Sequence, residues 1–141
     1  MITPSNIRLS KDKRKLTITF DEVEYSMSSE FLRVYSPSAE VQGHGPGQEI
    51  LQLNKQNVKI DKLKPTGNYA ISIHYSDSHS TGIYSWNYLH HLAINHDQLW
   101  SEYCQKVNDN KIVSQALHFR KINHFVILTL CLVRFIKIQI C

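Results

Sequence analysis

The stretch GNYAISIHYSDSHSTGIYSW (67–86) decides how this chain folds. Tyr69, Ile71, Ile73 and Tyr75 alternate with the smaller or polar Ala70, Ser72 and His74, the two-residue period of a strand with one buried face. Asp77-Ser78-His79-Ser80 is turn chemistry and leads into a second short strand around Gly82–Trp86. Upstream, Val58 and Ile60 alternate with charged neighbours across 57–63, and Pro65-Thr66-Gly67 reads as the turn that follows. Three strands joined by such short connections predict an antiparallel meander.

Downstream, Ser85 is placed to cap a helix over 86–92. From about Asp97 a second helix is expected, with Leu99, Trp100, Tyr103, Cys104 and Val107 at helical spacing and Cys104 as a small core residue. Towards the N-terminus, LTITF (16–20) and VEYSM (23–27) flank Asp21-Glu22 and predict a hairpin over 15–27. Ser28 caps a short helical turn over SSEFLRV, which Pro37 closes. No internal repeat is visible. The fold expected is α+β, a small antiparallel sheet made of a hairpin plus a meander, with short helices packed on one side.

Composition narrows the function classes. The 141 residues, 42% hydrophobic and 20% charged, fit one modest core. The formal charge of +4 hints at nucleic acid only until it is located. Residues 1–111 hold twelve Lys/Arg against twelve Asp/Glu, and Arg120, Lys121, Arg134 and Lys137 supply the excess. The division expected is therefore a neutral domain over 1–111 and a basic, apolar tail over 112–141.

Within that tail, the uncharged run from Phe125 to Val133 is shorter than the ~20 apolar residues of a bilayer-crossing helix. It reads as an extra β-branched strand or a sticky terminal segment, and membrane contact through it is not expected. A frameshifted terminus is the other reading that accounts for charge and composition changing together. Cys104, Cys131 and Cys141 make neither a disulfide framework nor a CxxC clip, and no signal-peptide-like run opens the chain, so the expected location is cytoplasmic.

Few motifs carry chemistry. Gly43-His44-Gly45-Pro46-Gly47-Gln48 forms a loop whose N–H groups could cradle an anion, yet it lacks the Gly-Lys-Ser/Thr ending of a P-loop, and no GxGxxG follows a strand. It suits a rigid, exposed recognition loop better. His90 and His91 point about 100° apart on a helix and do not converge on a metal. No GxSxG nucleophile elbow is present. Tyr84, Trp86, Tyr88 and Trp100 lack a basic groove to make them a base-stacking set, so they read as core and rim aromatics.

The segments LRVYSPSAEVQGHGPGQ (32–48), GNYAISIHYSD (67–77), His79 and GIYSWNYL (82–89) resemble the gamma-butyrobetaine hydroxylase-like N-terminal domain family, over roughly residues 5–107. In that family the domain stands alone in bacteria, precedes the catalytic domain of iron- and 2-oxoglutarate-dependent hydroxylases, or is attached to ATPases that carry iron–sulfur clusters. The resemblance implies an accessory module, because the hydroxylase reaction belongs to a separate domain. It also implies a structural zinc site, held by three cysteines of a C-P-C-x-x-C cluster and a histidine of a D-x-H turn. Those positions fall here on Ser36, Ser38 and Val41, with Pro37 kept, and on His79 after Asp77.

A closed zinc site needs four ionisable or imidazole ligands; serine hydroxyls stay protonated and valine offers nothing. The expectation is that His79 bonds turn backbone while Ser36 and Ser38 cap the loop, a small network in place of the metal, with no cofactor. The alternative is a harder metal site built from His79, Asp77, His44 and Glu40, a mixed His/carboxylate set suited to iron or manganese, with iron or zinc as the cofactor of a metal-binding protein. The function that follows is a non-enzymatic module with an unidentified protein partner, no nucleic acid, and a link to iron–sulfur or iron-oxygenase biology. The metal-binding protein is the alternative.

Overall fold

The structure, a computed structural model, describes residues 2–43, 45 and 47–138, with side chains described through residue 120. Two compact units are formed, 1–103 and 104–141.

The first unit is α+β. Strand β2 (Lys15–Phe20) buries Leu16, Ile18 and Phe20 and turns their neighbours outward, as the alternation in LTITF requires. It pairs antiparallel with β3 (Val23–Ser28), Phe20 opposite Val23. The two turn residues, Asp21 and Glu22, both have positive φ (45° and 67°), the twist that a two-residue hairpin demands. A strand not anticipated, β1 (Asn6–Leu9), covers the other edge of β2 and sets Ile7 opposite Ile18 and Leu9 opposite Leu16. At four residues, with two apolar positions, β1 is too short to show a period.

Helix α1 (Ser29–Val34) follows, with Ser28 accepting the Phe31 N–H as its cap. Helix α2 (Ala39–Gln42) begins after Pro37. The meander is β4 (Ile60–Thr66), β5 (Ala70–Tyr75) and β6 (Ile83–Ser85), in that order and antiparallel throughout. Hairpin and meander are thus two three-stranded sheets. A backbone bond from the Ile60 N–H to the Lys13 carbonyl (2.9 Å) ties β4 to the β1–β2 turn.

Both sheets share one core. Leu16, Ile18, Phe20 and Met27 meet Ile60, Ile71, Ile73, Tyr75 and Tyr84, and Phe31, Leu32, Leu89 and Leu92 pack among them. Each such side chain contributes about 1.5–3 kcal/mol by leaving water. Helix α3 (Trp86–Ile94) starts where expected, the Ser85 hydroxyl accepting the Tyr88 N–H (3.2 Å). Tyr84 and Trp86 are buried and Tyr88 and Trp100 half-buried, the core and rim aromatics foreseen.

Two expectations change at α4 (His96–Ile138). Cys104 is exposed rather than in the core: Leu99 and Tyr103 stand four residues apart on one face, and the next residue turns about 100° away. The run 125–133, read as an extra strand or a sticky terminal segment, is helical, which excludes the strand. After Gly82 the chain has neither glycine nor proline, so nothing stops the helix, and its continuity overrides the β preference of Val126, Ile127 and Val133. Among the described residues no helix is long and apolar enough to cross a membrane.

Candidate functional site

Helix α1 ends at Tyr35, and Pro37 keeps the chain extended between α1 and α2, which directs Ser36 inward. Ser36 is fully buried, and Ser38 and His79 nearly so. Ser38 occupies the N-cap position of α2 but makes no capping bond with its side chain; its hydroxyl turns towards His79 instead. His79 sits at the end of the turn after β5. There its carbonyl accepts the Tyr75 N–H (2.9 Å) and its N–H reaches the Asp77 carboxylate (3.4 Å).

The imidazole joins these segments. Nε2 lies 2.8 Å from the Ser36 Oγ and 3.4 Å from the Ser38 Oγ, while Nδ1 lies 3.1 Å from a Glu40 carboxylate oxygen. A carboxylate only accepts, which assigns the proton to Nδ1 and leaves Nε2 to accept from the Ser36 hydroxyl. Burial favours the neutral ring and the nearby Arg33 guanidinium adds to this, so the His79 pKa falls below its usual value although Glu40 pulls the other way. The Glu40 side chain remains 65% exposed, so only the outer end of this chain of bonds is wet.

Gly82 closes the site from above. A Cβ there would overlap the Ser36 hydroxyl and press on Pro37, so only glycine permits this approach. Beneath, the Tyr84 phenol donates to the Leu32 carbonyl (2.7 Å) and meets the Tyr75 hydroxyl at 2.8 Å. Burial raises the pKa of both phenols, so both remain donors at ordinary pH.

Asp77 takes no part in the imidazole network through its outer oxygen. That oxygen is 2.9 Å from Arg33 Nε and 2.8 Å from Lys55 Nζ. Arg33, itself buried, also donates to the Gln52 side chain (3.3 Å). Burial acts to raise the Asp77 pKa, but the Lys55 hydrogen bond and the Arg33 charge outweigh it and hold the carboxyl below its usual range. Sequence reasoning missed Arg33, Gln52 and Lys55. The available signal was an arginine inside the apolar run FLRVY, which burial obliges to find an anion.

Three of the four positions that correspond to the family's zinc ligands, Ser36, Ser38 and His79, therefore converge, and Val41 is buried on α2. They do not fit zinc: two hydroxyls and an isopropyl group replace three thiolates, and both ring nitrogens of His79 already have partners. Asp77 is committed to two cations, and His44 and Pro46 lie outside the described residues. Among the described residues no three His, Cys, Asp or Glu side chains are grouped to hold a metal ion.

The loop expected to recognise a partner is braced at its base. The Ile50 N–H donates to the Val41 carbonyl (2.9 Å), the Gln48 N–H to the Gly45 carbonyl (3.1 Å), and Gly43 (φ 70°) comes so close to the Gln48 backbone that a Cβ would overlap it. Gly47 and Gln48 are exposed at its rim. A cavity of about 310 Å³ lies elsewhere, between Glu24–Met27 and Ala93–Gln98, and contains none of Ser36, Ser38, Glu40 or His79.

The family described as gamma-butyrobetaine hydroxylase-like, N-terminal, matches residues 7–90. No curated protein matches the chain. Among solved structures, one determined by NMR in solution is 44% identical, covers 77% of this chain and 86% of its own, and superposes with a TM-score of 0.69. A second NMR structure is 41% identical, with 79% and 83% covered and a TM-score of 0.67. A crystal structure of a protein of unknown function from Acidithiobacillus ferrooxidans, assigned to the DUF971 family, is 32% identical, with 64% and 92% covered and a TM-score of 0.54.

Proposed function

The chain belongs to the gamma-butyrobetaine hydroxylase-like, N-terminal family, and on that premise we propose that it is a non-catalytic, metal-independent interaction module of the cytoplasm. It serves a protein partner that carries iron–sulfur or iron-dependent oxygenase chemistry. One observation carries this reading: the Ser36–His79–Glu40 network satisfies the imidazole completely where relatives of the resemblance would place zinc. A scaffold that holds its loop by hydrogen bonds needs no metal to position it.

The same three groups have the connectivity of a Ser–His–carboxylate relay. Attack on a substrate carbonyl requires an open approach to the hydroxyl, and Ser36 is fully buried beneath Gly82 and Pro37. The network is therefore a strut between residues 36–40 and the turn after β5. Gly47 and Gln48, exposed beside the contacts that brace Gly43 and Gly45, form a surface offered to the partner.

Elemental analysis of the untagged full chain tests the reading. The expected content is less than about a tenth of an equivalent of zinc or iron. One equivalent of metal, lost on His79→Ala, would establish the metal-binding protein instead. Labelling of the native chain by a fluorophosphonate probe, abolished by Ser36→Ala, would establish a hydrolase.

A further inference from the structure

Residues 1–111 are neutral as a sum and strongly polarised as a surface. The segments 11–15 and 55–64 hold eight of their twelve cations and two of their twelve carboxylates, Asp12 and Asp61. The fold brings the two segments together. The Ile60 N–H donates to the Lys13 carbonyl (2.9 Å), and the Arg14 guanidinium donates to the Gln56 carbonyl (3.3 Å). Lys11, Lys13, Arg14, Lys15, Lys59, Lys62 and Lys64 are all exposed.

Local geometry concentrates the charge. In the turn between β1 and β2, Asp12 accepts from the Ser10 hydroxyl and from the Arg14 N–H (3.2 Å), which bends its carboxylate back onto the turn. Lys13 stands in the left-handed region (φ 61°), where glycine or asparagine would cost less. Like charges packed this way repel, and nothing in the core requires them. Asp77, the acid beside Lys55, is already neutralised by Lys55 and Arg33.

We propose that this basic face docks a short acidic segment, rich in Glu and Asp, of the partner protein; the proposal rests on the interaction-module reading. No aromatic residue occurs in 10–15 or 54–64, so the stacking platform that single-stranded nucleic acid uses is missing. Within the same compact unit, the remainder of 1–103 carries nine carboxylates against two cations. A long polyanion or a membrane sheet extending past the basic face meets that acidic remainder, whereas a segment of a few residues stays within it.

Fluorescence anisotropy on the full chain tests this with three probes: a labelled acidic peptide of about six residues, roughly 20 Å when extended, an oligothymidylate of equal charge, and phosphatidylserine-containing vesicles. The peptide is expected to bind best, more weakly as salt rises, and about tenfold more weakly to Lys11→Glu/Lys62→Glu than to wild type. Lys106→Glu/Lys111→Glu, with the same charge change on exposed positions of α4, is expected to bind as wild type does. Absence of peptide binding, equal loss in both variants, or tighter binding of oligothymidylate or vesicles overturns the proposal. Metal content of the same preparation keeps the two readings apart. Metal-loaded protein that binds the peptide at this face removes the metal-independent module and leaves the surface, and metal-free protein that ignores the peptide does the reverse.

Discussion

Ser36 and His79 are 43 residues apart in the chain, and their side chains meet at 2.8 Å in the buried interior. This bond ties the extended segment between α1 and α2 to the turn that follows β5. It stands where family resemblance implies a metal bond.

Removing the hydroxyl leaves Nε2 of His79 buried with only the distant Ser38 for a partner. Ser36→Ala is expected to cost about 1–2 kcal/mol, read as a fall in melting temperature of roughly 5–15 °C. In a double-mutant cycle with His79→Gln the two losses are expected to be strongly non-additive. Additive losses would mean the bond contributes nothing.

Burial of the His79 ring, with the Arg33 charge beside it, also couples stability to pH. His79 is held neutral below the ordinary histidine pKa of 6.5, so in that range the unfolded chain binds more protons than the folded one. The contribution is fully present above pH 6.5 and is lost as pH falls through the lowered, folded-state value. Asp77 acts in the same direction only below about its ordinary 3.8. Denaturation midpoints between pH 7 and pH 5 are expected to fall more steeply for wild type than for His79→Gln. Parallel slopes would refute the assignment.

Gly82 and Ser36 form a second testable pair. Gly82→Ala pushes a methyl group into the Ser36 hydroxyl and is expected to destabilise by about 1–3 kcal/mol, as overpacking does. In a Ser36→Ala background the same substitution is expected to cost much less, because the obstructing oxygen is gone. An equal cost in both backgrounds would place the strain elsewhere.

Asp77→Asn leaves the buried guanidinium of Arg33 without its anion. Fully buried pairs lose about 3–5 kcal/mol when one partner is removed. The Asp77 side chain keeps 21% exposure, so a smaller loss of about 2 kcal/mol is expected from thermal or urea denaturation. A neutral outcome would show that water already screens the pair.

If the pocket has lost its ligands and kept its shape, sulfur should restore the metal. The triple variant Ser36→Cys, Ser38→Cys, Val41→Cys is expected to copurify with about one zinc and to melt lower after chelation. The wild-type melting temperature is expected to ignore chelator. A metal-free triple variant would show that the four positions no longer converge well enough.

Elements with local signals were legible in the sequence. The alternation in LTITF and in YAISIHY, the serine caps at 28 and 85, and the breakers Pro37 and Gly67 each act within a few residues, so hairpin, meander and helix starts could be read directly. β1 escaped because four residues hold too little pattern. Of the two readings of 125–133, a strand or a sticky terminal segment, the strand failed because β-branched composition is weaker than an uninterrupted helix.

Sequence by itself determined that the three thiolates of the resemblance are replaced by Ser36, Ser38 and Val41, and therefore that zinc has no thiolate ligand at these positions. Only the tertiary structure decided what replaced it. Partners 39 to 44 residues apart (Glu40 with His79, Ser36 with His79, Arg33 with Asp77) leave no periodic trace in the chain, and they meet only when packing buries Ser36, His79 and Arg33 and obliges their polar atoms to find others. The basic face has the same origin. The charges of 11–15 and 55–64 cancel against distant carboxylates when summed, and they add when the Ile60–Lys13 bond sets them side by side.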